Sequence, residues 1–295
     1  MQAMILAAGL GTRLLPHTNI RPKPLFPILN TPLLLLTIER LKNFGFDQIV
    51  VNCHHLKEQI VEVLDSVGGV IVIEEEIILG TGGGLRGALP YMRDEPILIS
   101  NGDIYHTVNV LELYNYHRKN KHSITLGMHN CTRFNTVSMN GDRVDAFGKD
   151  KSLPTLAYTG LQVLQPELLQ DIEKGQYSCI IEHYRKLLAG GVHIDTFRVD
   201  DCHWTDMGSV EDYLALHAGL LSGNIPCWQE IGPVRKPYCI GARAKLPAHV
   251  DLDDWVCIGE AQIGDRTHLQ RCVVWDGVIV HGGMEITDKI VSSDV

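Results

Sequence analysis

The sequence predicts an α/β protein with a doubly wound, mostly parallel sheet, followed by a C-terminal parallel β-helix. Three observations predict it. Short apolar runs alternate with amphipathic stretches through the first hundred residues. A glycine-rich turn follows the first apolar run. Beyond Ser222, apolar residues recur every six positions.

The elements follow in order. "AMILAA" from Ala3 is a buried strand, and the loop "GLGTRLLPHTNIRPKP" comes after it. Pro32 opens a helix that Gly45 stops. "DQIVVNC" is the second strand. "HLKEQIVEVLDSVGG" is an amphipathic helix with Leu56, Ile60, Val63, Leu64 and Val67 on one face. "VIVIEEE" is a strand, "LGTGGG" a loop, "LRGALPYM" a helix and "PILISNGD" another strand. Such alternation implies parallel pairing with helices on both faces. From Leu111 to Asp195 the pattern is mixed, with helices near 111–119, 166–173 and 178–189. "WTDMGSVEDYLALHAGLL" is a turn entering a helix.

After Ser222 the texture changes. Ile240, Leu246, Leu252 and Ile258 are six apart; Ile263, Leu269 and Trp275 resume the spacing after one slip. Glycine follows Ile240, Ile258 and Ile263. One apolar residue per short strand at this period predicts a parallel coil. The division is therefore 1–222 for the first domain and 223–295 for the coil, with "SGNIP" as the join. Nothing in the coil resembles a charged active-site cluster, and it is expected to mediate self-association, so that a chain ending near Ser222 retains some turnover and changes its oligomer size.

Composition narrows the function. The 295 residues are 45% hydrophobic and 21% charged, with a net charge of −9 and no basic run. This argues against binding nucleic acid through its backbone charge. No apolar stretch reaches the ~18 residues of a membrane span, and "MQAMILAAG" lacks the basic region of a signal peptide. The eight cysteines form no CxxC pair and are expected to be reduced thiols of a cytoplasmic protein.

A glycine turn after a first strand suits an anion, because backbone N–H groups there can cradle phosphate. The dinucleotide fingerprint lacks its third glycine, and the P-loop lacks its Gly-Lys-Ser/Thr. What remains is Gly9-x-Gly11-Thr12-Arg13 with Lys23 ten residues beyond Arg13. Two cations in one proline-restricted loop suit a triphosphate. His54 and His55 lack a third ligand and read as a helix entry; "EEE" at 74–76 reads as a strand end.

This opening resembles the signature of the sugar-1-phosphate nucleotidyltransferases, carried here by "LAAGLGTRLLPHT" and "RPKP". Downstream, "LGTGGGL", "ISNGDI", "YTGLQVLQPELL" and "WTDMGSVEDYLAL" are similar to that family's base loop, metal strand, sugar segment and second metal block, in that order. The resemblance spans about 1–221. It implies a nucleotide-diphospho-sugar transferase-like sheet and, for the coil, the left-handed β-helix that many members append. It implies catalytic roles for Arg13 and Lys23. Nucleotide contacts fall to Leu6, Ala8, Gly9, Gly11, Thr12, Gly80, Thr81, Gly82 and Asn101. Sugar contacts fall to Asn101, Thr159 and Gly160. The family's Glu-Lys-Pro is replaced by "AFGKDKSLP", where Lys149 is the cation left for the sugar phosphate. Asp103 and Asp206 are implied as ligands of Mg²⁺ or Mn²⁺. Taken alone, Asp206 reads as an ordinary helix N-terminal acid, and only the resemblance reverses that.

The expected partners are a nucleoside triphosphate, a sugar 1-phosphate and further copies of the chain. Segments around Asn52 and the Thr-Gly-Gly-Gly loop resemble N-acetylmuramate-1-phosphate uridylyltransferases; "GTRLLPHT" and the coil resemble mannose-1-phosphate guanylyltransferases. Gly82, Gly83 and Gly84 read as a roomy wall without side chains, and UTP is expected over GTP. A cytidylyltransferase for an alcohol phosphate and a non-catalytic nucleotide-binding regulator stay open.

Overall fold

The structure is a computed structural model that describes residues 1–148 and 152–295. Lys149, expected at the sugar phosphate, lies outside the described residues. By internal contact the chain forms two units: Met1–Leu10 with Ile38–Trp204, and Gly11–Thr37 with Thr205–Val295. The change of composition near 222 is thus not where these contacts divide the chain. Residues 11–37 and the last helix before 222 have their cover among the C-terminal strands.

In the first unit, β1 (Gln2–Leu6), β2 (Gln48–Cys53), β3 (Val70–Glu74) and β4 (Ile97–Asn101) pair in parallel in the order β3-β2-β1-β4. The apolar runs of β1, β2 and β4 do not alternate because both faces are covered, whereas the edge strand β3 is half-buried. Ala3, Met4, Ile5, Ile49, Val50, Val51, Leu98 and Ile99 are all fully buried. β5 (Ile124–His129), β6 (Val137–Asn140), β7 (Arg143–Phe147), β8 (Thr155–Leu164) and β9 (Asp195–Arg198) complete nine strands. β8 lies antiparallel between β4 and β5, β9 is parallel to β5, and β6 and β7 form an antiparallel edge hairpin. The sheet is mixed, where a mostly parallel one was expected. A two-residue turn between β6 and β7 leaves no room for a crossover, so antiparallel pairing is forced.

The helices are α1 (Leu33–Asn43), α2 (Lys57–Leu64), α3 (Gly80–Ala88), α4 (Val110–Asn120), α5 (Ile180–Ala189) and α6 (Val210–Ser222). Met4, Val50, Ile97 and Ile99 pack with Leu85 and Ala88 of α3 and Ile180 and Tyr184 of α5. Each such large side chain contributes roughly 1.5–3 kcal/mol on burial. α3 begins five residues before the expected helix, so "GTGGG" is helical. Residues 166–169 form only a 3₁₀ turn.

The second unit begins with 3₁₀ turns at Thr12–Leu14, His17–Asn19 and Lys23–Leu25, and continues with α6, a further 3₁₀ turn at Gln229–Ile231 and short strands. These strands are β10 (Tyr238–Ile240), β11 (Asp251–Ile258), β12 (Gln262–Ile263), β13 (His268–Val274), β14 (Ile279–Val280), β15 (Glu285–Thr287) and β16 (Ile290–Val291). All their pairings are parallel. Partners such as Asp251 and His268 stand 17 residues apart. Steps of six, five and six, from Leu252 through Ile258 and Ile263 to Leu269, produce that repeat. Ile263, Leu269 and Trp275 are buried, whereas Ile240, at the start of the series, is exposed.

Trp275 packs edge-on against Phe26 at 4.7 Å, and Tyr213 meets Phe26 at 5.7 Å. Asn30 donates to the Ile258 carbonyl at 2.7 Å and accepts from the Cys257 thiol at 3.1 Å. His217 is buried, with its pKa pushed down to about 4 by desolvation. The neutral ring takes the Leu29 N–H on Nε2 and donates from Nδ1 to the Tyr213 carbonyl. The proline-rich segment is therefore part of a packed core, not a free loop.

Candidate active site

In the first unit the implied residues gather at the C-terminal ends of the parallel strands, where open α/β sheets bind ligands. Leu6 is level with Asn52 on one side and Asn101 on the other. The chain then continues into Ala7–Leu10, with Gly9 and Leu10 exposed. Nothing lies within 4 Å of the position a Cβ would take at Gly9, so a ligand can approach its backbone. The Gly102 N–H donates to the Leu6 carbonyl at 2.8 Å, which fixes the half-buried Asp103 beside the end of β1.

Gly160 sits in a bulge of β8 at φ +82°, and Asn101 occupies the space a side chain there would need. Asn101 and Gly160 thus meet as expected. Thr159 differs: it is buried, and its hydroxyl donates to the Gly127 carbonyl and accepts from the Leu161 N–H. That hydroxyl holds the bulge, so a sugar has no claim on it. The Thr159 carbonyl accepts the Trp204 indole N–H at 2.8 Å. The Trp204 ring meets Phe134 edge-on at 5.5 Å. Nearby, burial lowers the pKa of His203, with His129 adding to the effect.

The base loop is not the open wall expected from its glycines. Gly82 and Gly83 both donate to the Ser178 carbonyl, at 2.8 and 3.2 Å. A Cβ at Gly82 would lie 2.8 Å from the Ser178 hydroxyl, and one at Gly84 2.6 Å from the Asn52 amide nitrogen. These glycines admit neighbouring protein, and the space is filled. Thr81 accepts the Ile180 N–H at 3.0 Å, which starts α5. Gly80, in a positive-φ turn beside the exposed Tyr177 ring, is half-buried, and Thr81 after it is exposed.

The second unit holds the charges. Gly11 adopts φ +64° to cap the turn at Thr12–Leu14, and the Thr18 methyl leaves no room for a Cβ. Arg13 is 62% exposed and its guanidinium lies 3.5 Å from Asp206 Oδ2. Lys23 was expected in an exposed loop, yet it is only 5% exposed. Its neighbours from Pro22 to Leu29 are buried with it. Lys23 Nζ donates to the Asp206 carbonyl at 2.8 Å. Arg13, Lys23 and Asp206, far apart in sequence, thus converge.

Asp206 is not the cap of α6. Ser209 has that role, accepting the Asp212 N–H at 3.2 Å. Asp206 Oδ1 instead accepts the Gly208 N–H at 3.0 Å in its own turn. Its carboxylate is 19% exposed and keeps lone pairs for a hard cation. Among the described residues no three His, Cys, Asp or Glu side chains cluster as a metal site. Mg²⁺ does not require three, since it is held by one or two carboxylates plus substrate phosphates.

Asn52 and Glu75 were not singled out by the sequence. Asn52 interrupts the apolar run Ile49–Cys53 near the end of its strand, which was the available signal. Glu75, inside "EEE", carried none.

A family model described as nucleotidyl transferase matches residues 2–223. The mannose-1-phosphate guanylyltransferase of Mycobacterium tuberculosis is 28% identical over 298 residues, covering 97% of this chain and 83% of its own. The UTP–glucose-1-phosphate uridylyltransferase of Synechocystis is 30% identical over 309 residues, covering 96% and 77%. A structure titled as a putative glucose-1-phosphate thymidylyltransferase from Bacillus anthracis superposes with a TM-score of 0.66 at 17% identity, covering 78% of this chain and 98% of that one. That likeness shows the nucleotide-diphospho-sugar transferase fold. No helix among the described residues is long and apolar enough to cross a membrane. On the family match and these relatives, the chain belongs to the nucleotidyl transferase family as a sugar-1-phosphate nucleotidyltransferase.

Proposed function

We propose that the protein transfers a uridylyl group from UTP to a hexose or amino-sugar 1-phosphate, releasing pyrophosphate. The observation that carries the reading is the convergence of Arg13 and Lys23 on Asp206. Two fixed cations and one carboxylate suit the union of two phosphate-bearing anions. An oxygen of the sugar phosphate forms the new bond to the α-phosphorus while the bond to the β-phosphate oxygen breaks. The attacking phosphate has a second pKa of about 6, so it is largely dianionic at neutral pH and needs no general base. Positioning and charge neutralisation supply the catalysis. Arg13 and Lys23 bind the triphosphate, Leu6–Thr12 orients it by backbone, and Gly80 faces the base. Asn101 and Gly160 border the sugar.

Mg²⁺ or Mn²⁺, held by Asp103 and Asp206, would supply charge neutralisation at the phosphates. Asp103→Asn and Asp206→Asn are expected to raise the Mg²⁺ concentration for half-maximal rate at least ~10-fold, a loss of ~1.4 kcal/mol. A metal titration like the parent's in either variant removes that residue from the metal site. UTP is preferred on the likeness of the Asn52 and Thr-Gly-Gly-Gly segments to uridylyltransferases. Pyrophosphate release with four triphosphates and a panel of sugar phosphates tests the class. UTP and GTP at equal concentration test the base, and a preference for GTP of about tenfold, ~1.4 kcal/mol, overturns it. The same proposal takes the parallel strands 238–291 as a short left-handed β-helix through which copies of the chain associate, since stacked coils present ends that need cover.

A further inference from the structure

Asn52 and Glu75 are both buried, at 2% and 4% exposure, beneath two loops that they join. Asn52 Oδ1 accepts the Ala7 N–H at 3.0 Å, in the turn that follows β1. Asn52 Nδ2 donates to Glu75 Oε1 at 2.7 Å. Glu75 Oε2 accepts the Leu79 N–H at 3.2 Å, at the N-terminus of α3, where the helix dipole also favours a carboxylate. Glu75 is itself held by its backbone, its N–H donating to the Cys53 carbonyl at 2.8 Å and its carbonyl standing 2.8 Å from His54 Nδ1. Both Asn52 atoms and both carboxylate oxygens are thus engaged, and the amide orientation is dictated by its partners.

We infer that the Asn52–Glu75 pair is a positioning strut that holds the phosphate-binding turn at Ala7 in register with the base-binding turn at Leu79–Gly80. Neither side chain needs to touch substrate. The two turns must present one rigid triphosphate and its base together. The strut fixes their spacing before the nucleotide arrives, which saves the cost of ordering them on binding. Gly84 belongs to the same device: a Cβ there would stand 2.6 Å from Asn52 Nδ2 and 2.9 Å from Glu75 Oε1. The assignment of the two turns rests on the nucleotidyltransferase reading; the strut itself does not.

Three full-length variants test it. Glu75→Gln keeps the volume but has one acceptor for two donors. Asn52→Ala removes the link. Gly84→Ala removes no polar group and only displaces the pair. Amide hydrogen exchange is read in the ligand-free protein. Ala7, which Glu75 does not touch, is expected to exchange about tenfold faster in Glu75→Gln and in Gly84→Ala, with Leu79 faster in Asn52→Ala. With substrates, the nucleotide KM is expected to rise about tenfold, ~1.4 kcal/mol, while kcat and the sugar-phosphate KM change little, as for loss of uniform binding. Unchanged Ala7 exchange in both Glu75→Gln and Gly84→Ala overturns the strut. So does a reversal of base preference in Glu75→Gln with Ala7 unchanged, which would make Glu75 a base contact. If the parent releases no pyrophosphate from any triphosphate, the nucleotidyltransferase reading fails, and the exchange data still decide the strut. Should Glu75→Gln fail to fold, Gly84→Ala carries the test.

Discussion

Arg13→Ala is expected to lower turnover by ~10²–10³ without weakening the fold, whereas Lys23→Ala lowers both. Loss of one charge contact made in the transition state costs about that factor. The two residues part company in their surroundings. Arg13 is 62% exposed and lies 3.5 Å from Asp206, so its removal uncovers little. Lys23 is buried within the 3₁₀ turn Lys23–Leu25, and its ammonium holds the Asp206 carbonyl. A hydrogen bond from a charged donor is worth roughly 1.5–3 kcal/mol. In a chain of this size that is a fall of several degrees in Tm. Pyrophosphate release and thermal unfolding, measured on the same samples, check both halves. A near-normal rate in either variant takes that residue out of the mechanism. An unchanged Tm in Lys23→Ala shows that its burial adds no stability.

Truncation after Ser222 is expected to abolish turnover, by at least ~10²-fold, the scale set by an ångström of misplacement at a reacting centre. This replaces the expectation that a shortened chain keeps working. The Lys23 segment is covered by the strands that truncation deletes. Phe26 would lose the Trp275 ring at 4.7 Å, and Asn30 would lose the Ile258 carbonyl and the Cys257 thiol. His17 would lose the Ser292 hydroxyl at 2.7 Å, and Arg21 the Trp275 ring over which it stacks at 4.9 Å. Phe26, fully buried in the whole chain, would face water. The measurement is pyrophosphate release, with sedimentation to follow mass. Turnover near the parent's, together with a smaller assembly, would make the coil an assembly module alone.

Much of this protein was determined by sequence alone. The first four strands were legible as unbroken apolar runs, those of β1, β2 and β4 being buried on both faces. The proposed phosphate-binding turn could be picked out because Gly9, Gly11, Arg13 and Lys23 are close in the chain. The short parallel strands of the C-terminal part were foreshadowed because their period is local, and the 17-residue spacing of their partners follows from the five-residue step from Ile258 to Ile263. Tertiary structure decided what depends on partners distant in sequence. Lys23 looks like a loop cation until Asp206, 183 residues away, receives its proton-bearing nitrogen. Glycines 82 to 84 look like open space until Ser178, Asn52 and Glu75 fill it. Thr159 looks like a ligand contact until Gly127 claims its hydroxyl. Strand direction beyond β4 also waited on pairing, because an apolar run carries no sign of which neighbour it will meet. Local chemistry is written in adjacent residues; burial and the sharing of hydrogen bonds are properties of the folded neighbourhood, which no short stretch contains.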